Sequence, residues 1–170
     1  MNRVMVIGSP GSGKSTLSQH LGRHYKLPVI HLDKHYWLAN WTPRDNDSFD
    51  QMLEQFASQE QWVIDGNYSR TMDIRLKRAE QVIWLDMPTW LCLYRVFKRR
   101  LIYHKKSRPD MNEECQEKLD LAFLKWVWNY RKRSRPATIQ KLREGSAHTE
   151  VIILKSKAEV AAYIDSLPVE

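Results

Sequence analysis

The feature that most constrains this chain is the segment Gly8-Ser9-Pro10-Gly11-Ser12-Gly13-Lys14-Ser15, which follows the short apolar run Arg3-Val4-Met5-Val6-Ile7. It fits G-x-x-x-x-G-K-[ST] in full and has the context that pattern needs: a buried strand before it and a helix from Ser15 to Tyr25 after it. Three of only six glycines lie here. They let successive backbone N–H groups turn inward and cradle oxyanions, and the helix adds its positive N-terminal end. The segment Gly8, Ser9, Pro10, Gly11, Ser12, Gly13, Lys14, Ser15 and Thr16 is therefore expected to bind a nucleoside triphosphate, ATP with Mg²⁺. Lys14 would neutralise the β- and γ-phosphates, and Ser15 would offer its hydroxyl to the metal.

Further strands are expected at Pro28–Leu32, closed by Asp33, at Trp62–Ile64, closed by Asp65, at Val82–Leu85, closed by Asp86, and at Val151–Leu154. These runs are apolar throughout rather than alternating, as in strands covered on both faces. The expected fold is thus α/β: a three-layer P-loop NTPase fold with a five-stranded parallel sheet flanked by helices. Its 170 residues suit one domain spanning 1–170. A helix is expected to begin at Thr42-Pro43, with Thr42 as its cap. Ser156 and Glu159 form a capping box for the last helix. Ligands of such sheets sit beyond the carboxyl ends of the strands, which puts the glycine loop, Asp33, Asp65 and Asp86 on one rim. Asp65 and Asp86 compete for the role of metal carboxylate. Asp33 could accept a proton from an acceptor hydroxyl.

Charge is distributed unevenly. Residues 95–143 hold fifteen Lys and Arg against five Asp and Glu, a surplus of ten, within a chain whose net charge is +7. A local field of that sign attracts anions: triphosphate, a phosphorylated substrate or nucleic acid. Arg95, Arg99 and Arg100 share a helix face, and Arg131, Arg133 and Arg135 follow on a later helix. Trp126 and Trp128 read as core more readily than as base-stacking rings. The two cysteines lack metal-ligand spacing and suit reduced thiols in a cytoplasmic protein. The histidines read as ordinary loop residues. No apolar run is long enough to span a membrane, and no guanine-reading N-K-x-D stretch occurs.

A resemblance sharpens these expectations. Ile64-Asp65-Gly66-Asn67-Tyr68-Ser69-Arg70-Thr71 resembles the D-G-F-P-R-T stretch of adenylate kinases. The chain as a whole resembles the bacterial DNA topology modulation protein (FlaR-like) family, itself similar to adenylate, shikimate and gluconate kinases. The resemblance includes Val29–Asp33 with Tyr36-Trp37, Trp62–Tyr68, Pro88–Cys92, Arg108-Pro109-Asp110 and Trp126–Tyr130. It implies a phosphotransferase acting on a small acceptor, with Asp65 preferred over Asp86 as the Mg²⁺ carboxylate and Asp33, Asp65 and Arg70 as substrate-binding residues. It also implies that the basic stretch 95–143 is a helical lid whose arginines, Arg99 and Arg131 among them, act with Lys14 and Asp33 in catalysis. Asn67-Tyr68 replaces the Phe-Pro of adenylate kinases, which puts AMP in doubt as acceptor. The family's label implies the alternative, an ATP-binding regulator associated with DNA.

Overall fold

The computed structural model describes residues 1–103, 110–111, 114–115, 121–145 and 148–168. Arg108 and Pro109 of the motif noted above, and part of the basic segment, lie outside the described residues. Along the chain run β1 (Arg3–Gly8), α1 (Lys14–His24), β2 (Val29–His31), α2 (Leu32–Tyr36), β3 (Trp37–Leu38), β4 (Thr42–Pro43), α3 (Asn46–Ser58) and β5 (Trp62–Asp65). They are followed by α4 (Met72–Leu76), β6 (Gln81–Leu85), α5 (Thr89–Ile102), α6 (Leu121–Gly145), β7 (Glu150–Leu154) and α7 (Lys157–Asp165).

Five strands form one parallel sheet in the order β2-β5-β1-β6-β7. Alternate residues of β1 point to opposite faces, as the pleat requires. Val4 and Val6 pack with Leu17, Leu21 and Leu91, whereas Met5 and Ile7 pack with Phe49, Leu53 and Ile64. Helices α1, α5 and α7 supply one covering layer, and α3 and α4 the other. All four apolar residues of β1 are buried at 1% exposure or less, so an interior loss such as Ile7→Ala costs about 2–5 kcal/mol.

Three local expectations change. The helix after residue 42 begins later: Asp45 is the cap, its carboxylate accepting from Ser48 N–H at 2.8 Å. Thr42 and Pro43 instead pair with β3 in a two-stranded antiparallel ribbon. Proline is tolerated on such an edge because it has no N–H to leave unmatched. Asp33 does not close a strand. It sits in the first turn of α2, one turn above the sheet. Trp126 and Trp128 are 39% and 60% exposed while Val127 between them is buried, so the core face of α6 passes through Val127 and the two indoles lie outside it. The expected capping box forms: Ser156 Oγ accepts from Glu159 N–H, and Glu159 accepts from Lys155 N–H.

Candidate active site

The glycine loop is built by close approach. Gly11 has φ +78°, and a Cβ there would stand 2.4 Å from the Cys92 carbonyl oxygen of α5. Any side chain would have to displace backbone, so only glycine fits. Gly13, at φ +104°, turns the chain into α1. The loop is then clamped from three sides. Asn67 donates to the Gly8 carbonyl at 2.7 Å and accepts from its N–H at 2.9 Å. Arg95 donates to the Ser12 carbonyl at 2.7 Å. Lys14 Nζ donates to the carbonyls of Gly8 and Ser9 at 2.9 and 3.1 Å. Burial depresses the Lys14 pKa, against the opposing pull of the Asp33 and Asp65 charges. The ammonium is thus curled onto its own loop rather than extended into solvent.

Asp65 ends β5, and β5 lies directly beside β1. Its carboxylate accepts from His31 Nδ1 at 3.0 Å. Burial pulls the His31 pKa down, but the hydrogen bond and charge of Asp65, with Asp110 and Asp33 beyond, outweigh it and hold the pKa above its ordinary value. Asp86 follows β6 on the other side of β1, and it is engaged by two arginines: Arg135 Nε at 3.0 Å and Arg131 Nε at 3.3 Å. Strand adjacency to the loop therefore does not separate the two acids. Their partners do.

The loop between β5 and α4 is held by Arg75, fully buried, whose guanidinium donates to the carbonyls of Gly66 and Asn67 at 2.6 and 2.7 Å. Burial pushes the Arg75 pKa down to about 10. This fixes Asn67 against Gly8 and aims Tyr68 at α2, where its hydroxyl donates to Asp33 at 2.7 Å. Burial, then the charge of Asp33, raises the Tyr68 pKa far above that of a free phenol, so it stays a donor.

These elements enclose a cleft of about 1460 Å³. It is lined by Pro10–Thr16 of the loop and α1, by Asp33 and Asp65, by Arg95 and Arg99 of α5, and by Asp110. Asp110 reaches the loop directly: Ser15 Oγ donates to its carboxylate at 2.7 Å. Ser15, Asp65 and Asp110 are hard oxygen donors, a set that fits Mg²⁺ held by one or two carboxylates plus phosphate oxygens. Among the described residues no group of three or more His, Cys, Asp or Glu could hold a metal alone.

Of the residues singled out in the sequence, Lys14, Ser15, Thr16, Asp33, Asp65 and Arg99 come together on this cleft. Two do not. Arg70 is half-exposed and forms a bidentate ion pair with Asp50 of α3. Arg131 is drawn to Asp86. Each guanidinium is thus paired with a carboxylate of the chain, Asp50 for Arg70 and Asp86 for Arg131. Three residues with structural claims on the site were given no role there by the sequence reading: His31, Asn67 and Asp110, each inside a stretch already noted for other reasons, while Arg95, noted among the basic residues, is found on the phosphate loop.

A family model described as an AAA domain matches residues 4–111. The chain belongs to that family. The match runs from β1 through Asp110, so it includes the glycine loop and all three rim acids of this AAA domain. No curated protein matches the chain. Among solved structures, shikimate kinase from Bacteroides thetaiotaomicron is similar at 18% identity and TM-score 0.55, over 98% of this chain and 95% of that one. Shikimate kinase from Acinetobacter baumannii in complex with shikimate is similar at 13% identity and TM-score 0.61, over 98% and 90%. A sugar kinase from Janibacter is similar at 13% identity and TM-score 0.51, over 98% and 94%. At these identities the likeness shows the fold, that of P-loop kinases. No described helix of this AAA domain is long and apolar enough to cross a membrane.

Proposed function

We propose that this AAA domain is an ATP·Mg²⁺-dependent phosphotransferase acting on a small hydroxyl compound, with residues 1–170 forming one catalytic unit. One observation carries the reading. The clamped phosphate loop and three carboxylates, Asp33, Asp65 and Asp110, face a single cleft with room beyond the loop for a second molecule. A switch that only bound nucleotide would need no acid at the position of Asp33.

The chemistry follows from placement. The acceptor oxygen forms a bond to the γ-phosphorus as the bond from that phosphorus to the β-bridging oxygen breaks, and ADP leaves. Asp33 takes the acceptor's proton, oriented by the Tyr68 hydroxyl. Lys14 exchanges the Gly8 and Ser9 carbonyls for phosphate oxygens, and Arg99 stabilises charge on the transferring group. Ser15, Asp65 and Asp110 would hold Mg²⁺, which neutralises the β- and γ-phosphate charge when bound. The basic segment 95–143 acts as a lid that closes on phosphate. Screening acceptors with ATP, and following ADP release against an acceptor-free control, tests the reading. Release no faster with any acceptor than without would sink it.

A specific feature favours a second reading, a DNA-associated ATP-binding regulator of the FlaR-like kind. Trp90, Tyr94, Phe97 and Leu101 of α5 are all at least half exposed, at i, i+4, i+7 and i+11, on the helix that leads into the segment of surplus positive charge. Tight DNA binding that weakens steeply with salt, without acceptor-dependent turnover, would support it.

A further inference from the structure

We infer that the acceptor of this cleft is an alcohol carrying no anionic group, presenting a flat or apolar face to Trp37 and Trp41. The inference rests on the phosphotransferase reading and deepens it by naming the acceptor's class.

The two sides of the cleft differ in chemistry. Every cationic lining residue among the described residues belongs to α1, α5 or α7, and Lys14 and Arg95 bond the phosphate loop itself. The opposite side, built by α2, the β3–β4 ribbon and the loop after β5, contributes Asp33, Asp65 and aromatic rings. The cations that side carries in sequence, Lys34, Arg44 and Arg70, do not line the cleft: Arg44 donates to the His35 carbonyl and Arg70 is bound to Asp50. An acceptor phosphate or carboxylate seated there would face the Asp33 and Asp65 charges and the negative faces of the rings.

The rings are held there at a cost. Trp37 and Trp41 meet edge to face with centroids 5.7 Å apart, and Tyr36 meets Trp37 in the same way at 5.0 Å. Between the two ribbon strands Asn40 and Trp41 adopt φ +56° and +60°. That conformation is unfavourable for a residue as bulky as tryptophan and persists where the surroundings impose it. The surroundings do so here: Asn40 N–H donates to the Glu114 carbonyl at 3.3 Å, and Cys115 Sγ contacts the Leu38 carbonyl at 3.1 Å. The ribbon holds the Trp37 and Trp41 rings on the cleft lining, and such a surface binds planar or apolar groups. With three carboxylates around it, the same surface also accepts an ammonium-bearing alcohol.

The test uses the full chain with ATP·Mg²⁺ and acceptor pairs that keep the reactive hydroxyl and differ in the anion: methyl shikimate against shikimate, and methyl 4-(hydroxymethyl)benzoate against 4-(hydroxymethyl)benzoate. The neutral member of at least one pair should be turned over with kcat/KM at least tenfold above its anionic counterpart. Trp41→Gly removes the ring at a backbone angle that glycine adopts freely, so the fold is not at risk. It should raise that acceptor's KM at least tenfold and leave the KM for ATP within about twofold. Preference for the anionic member of any pair overturns the inference. So does the absence of both turnover and tryptophan-fluorescence quenching with every neutral member. Acceptor-dependent ADP release with an anionic member marks failure of this inference alone, whereas ADP release that no member of any pair accelerates, despite thermal protection by ATP·Mg²⁺ that is lost in Lys14→Ala, marks failure of the phosphotransferase reading itself.

Discussion

The ends of β5 and β6 form a natural comparison. Each is a buried apolar strand, each lies directly beside β1, and each delivers a buried aspartate to the rim beside the glycine loop. At the end of β5, Asp65 has His31 as its ion-pair partner, lines the cleft, and acts on the Lys14 ammonium. At the end of β6, Asp86 is covered by Arg131 and Arg135, which tie α6 to the sheet. Two matching local patterns thus lead to different work, and what separates them is which helix crosses above. The carboxylate facing the phosphate loop is suited to chemistry, while the one facing α6 is suited to anchoring.

Four experiments would break or sharpen that contrast. The largest effect is expected at the β5 side. Asp65→Asn should lower turnover on the order of 100-fold and raise the Mg²⁺ requirement, with little change in melting temperature. Asp86→Asn should do the reverse, lowering stability by about 1–2 kcal/mol and turnover only modestly. That cost is below the figure for a fully buried pair because both guanidiniums are partly exposed. Paired denaturant and steady-state measurements decide it, and equal kinetic losses at both positions would dissolve the contrast.

Next comes Lys14→Ala. ATP·Mg²⁺ at about 100 times its dissociation constant should stabilise the wild type by ~2.7 kcal/mol and the variant hardly at all. Because Nζ donates to two carbonyls, the ligand-free variant should also lose about 1 kcal/mol, visible as a lower melting temperature.

The Asp65 side should also carry a pH signature that the Asp86 side lacks. The folded pKa of His31 is raised, so the stability its protonation contributes is fully present below about pH 6.5 and is lost as pH rises through the folded value. The drop in melting temperature between pH 6 and pH 8 should therefore shrink in His31→Gln. An unchanged drop would remove the His31–Asp65 pair from the account.

The smallest effects separate the arginines. Arg99→Ala should lower kcat on the order of tenfold with ATP affinity nearly constant, because Arg99 lines the cleft. Arg131→Ala should act mainly on stability through Asp86, by less than about 1 kcal/mol. Arg70→Ala should leave turnover close to wild type, since its partner Asp50 stands on the exposed surface of α3.

Much of this molecule could be read one residue after another. The order of strands and helices, the phosphate loop and the placing of Asp65 on the rim followed from apolar runs, glycine spacing and strand length. Those are local signals, because a buried strand must be apolar on both faces and an anion cradle must free its backbone. The ribbon β3–β4 was not readable, because two-residue strands carry no periodicity, and Pro43 imitates a helix start as readily as it occupies an edge. The pairing of Arg70 with Asp50 was not readable either, because the two lie 20 residues apart on different elements.

Sequence alone therefore indicated the fold class and the site of phosphate binding of this AAA domain, since both are signalled by patterns that fit within about a dozen residues. The different partners of Asp65 and Asp86, the pairing of Arg70 with Asp50, and the pairing of Ser15 with Asp110 belong to the tertiary structure. Each turns on which charged groups end within about 4 Å of one another from segments 20 to 95 residues apart. Charge pairing at that range has no periodicity along the chain to betray it, and it is decided only when the helices are laid on the sheet.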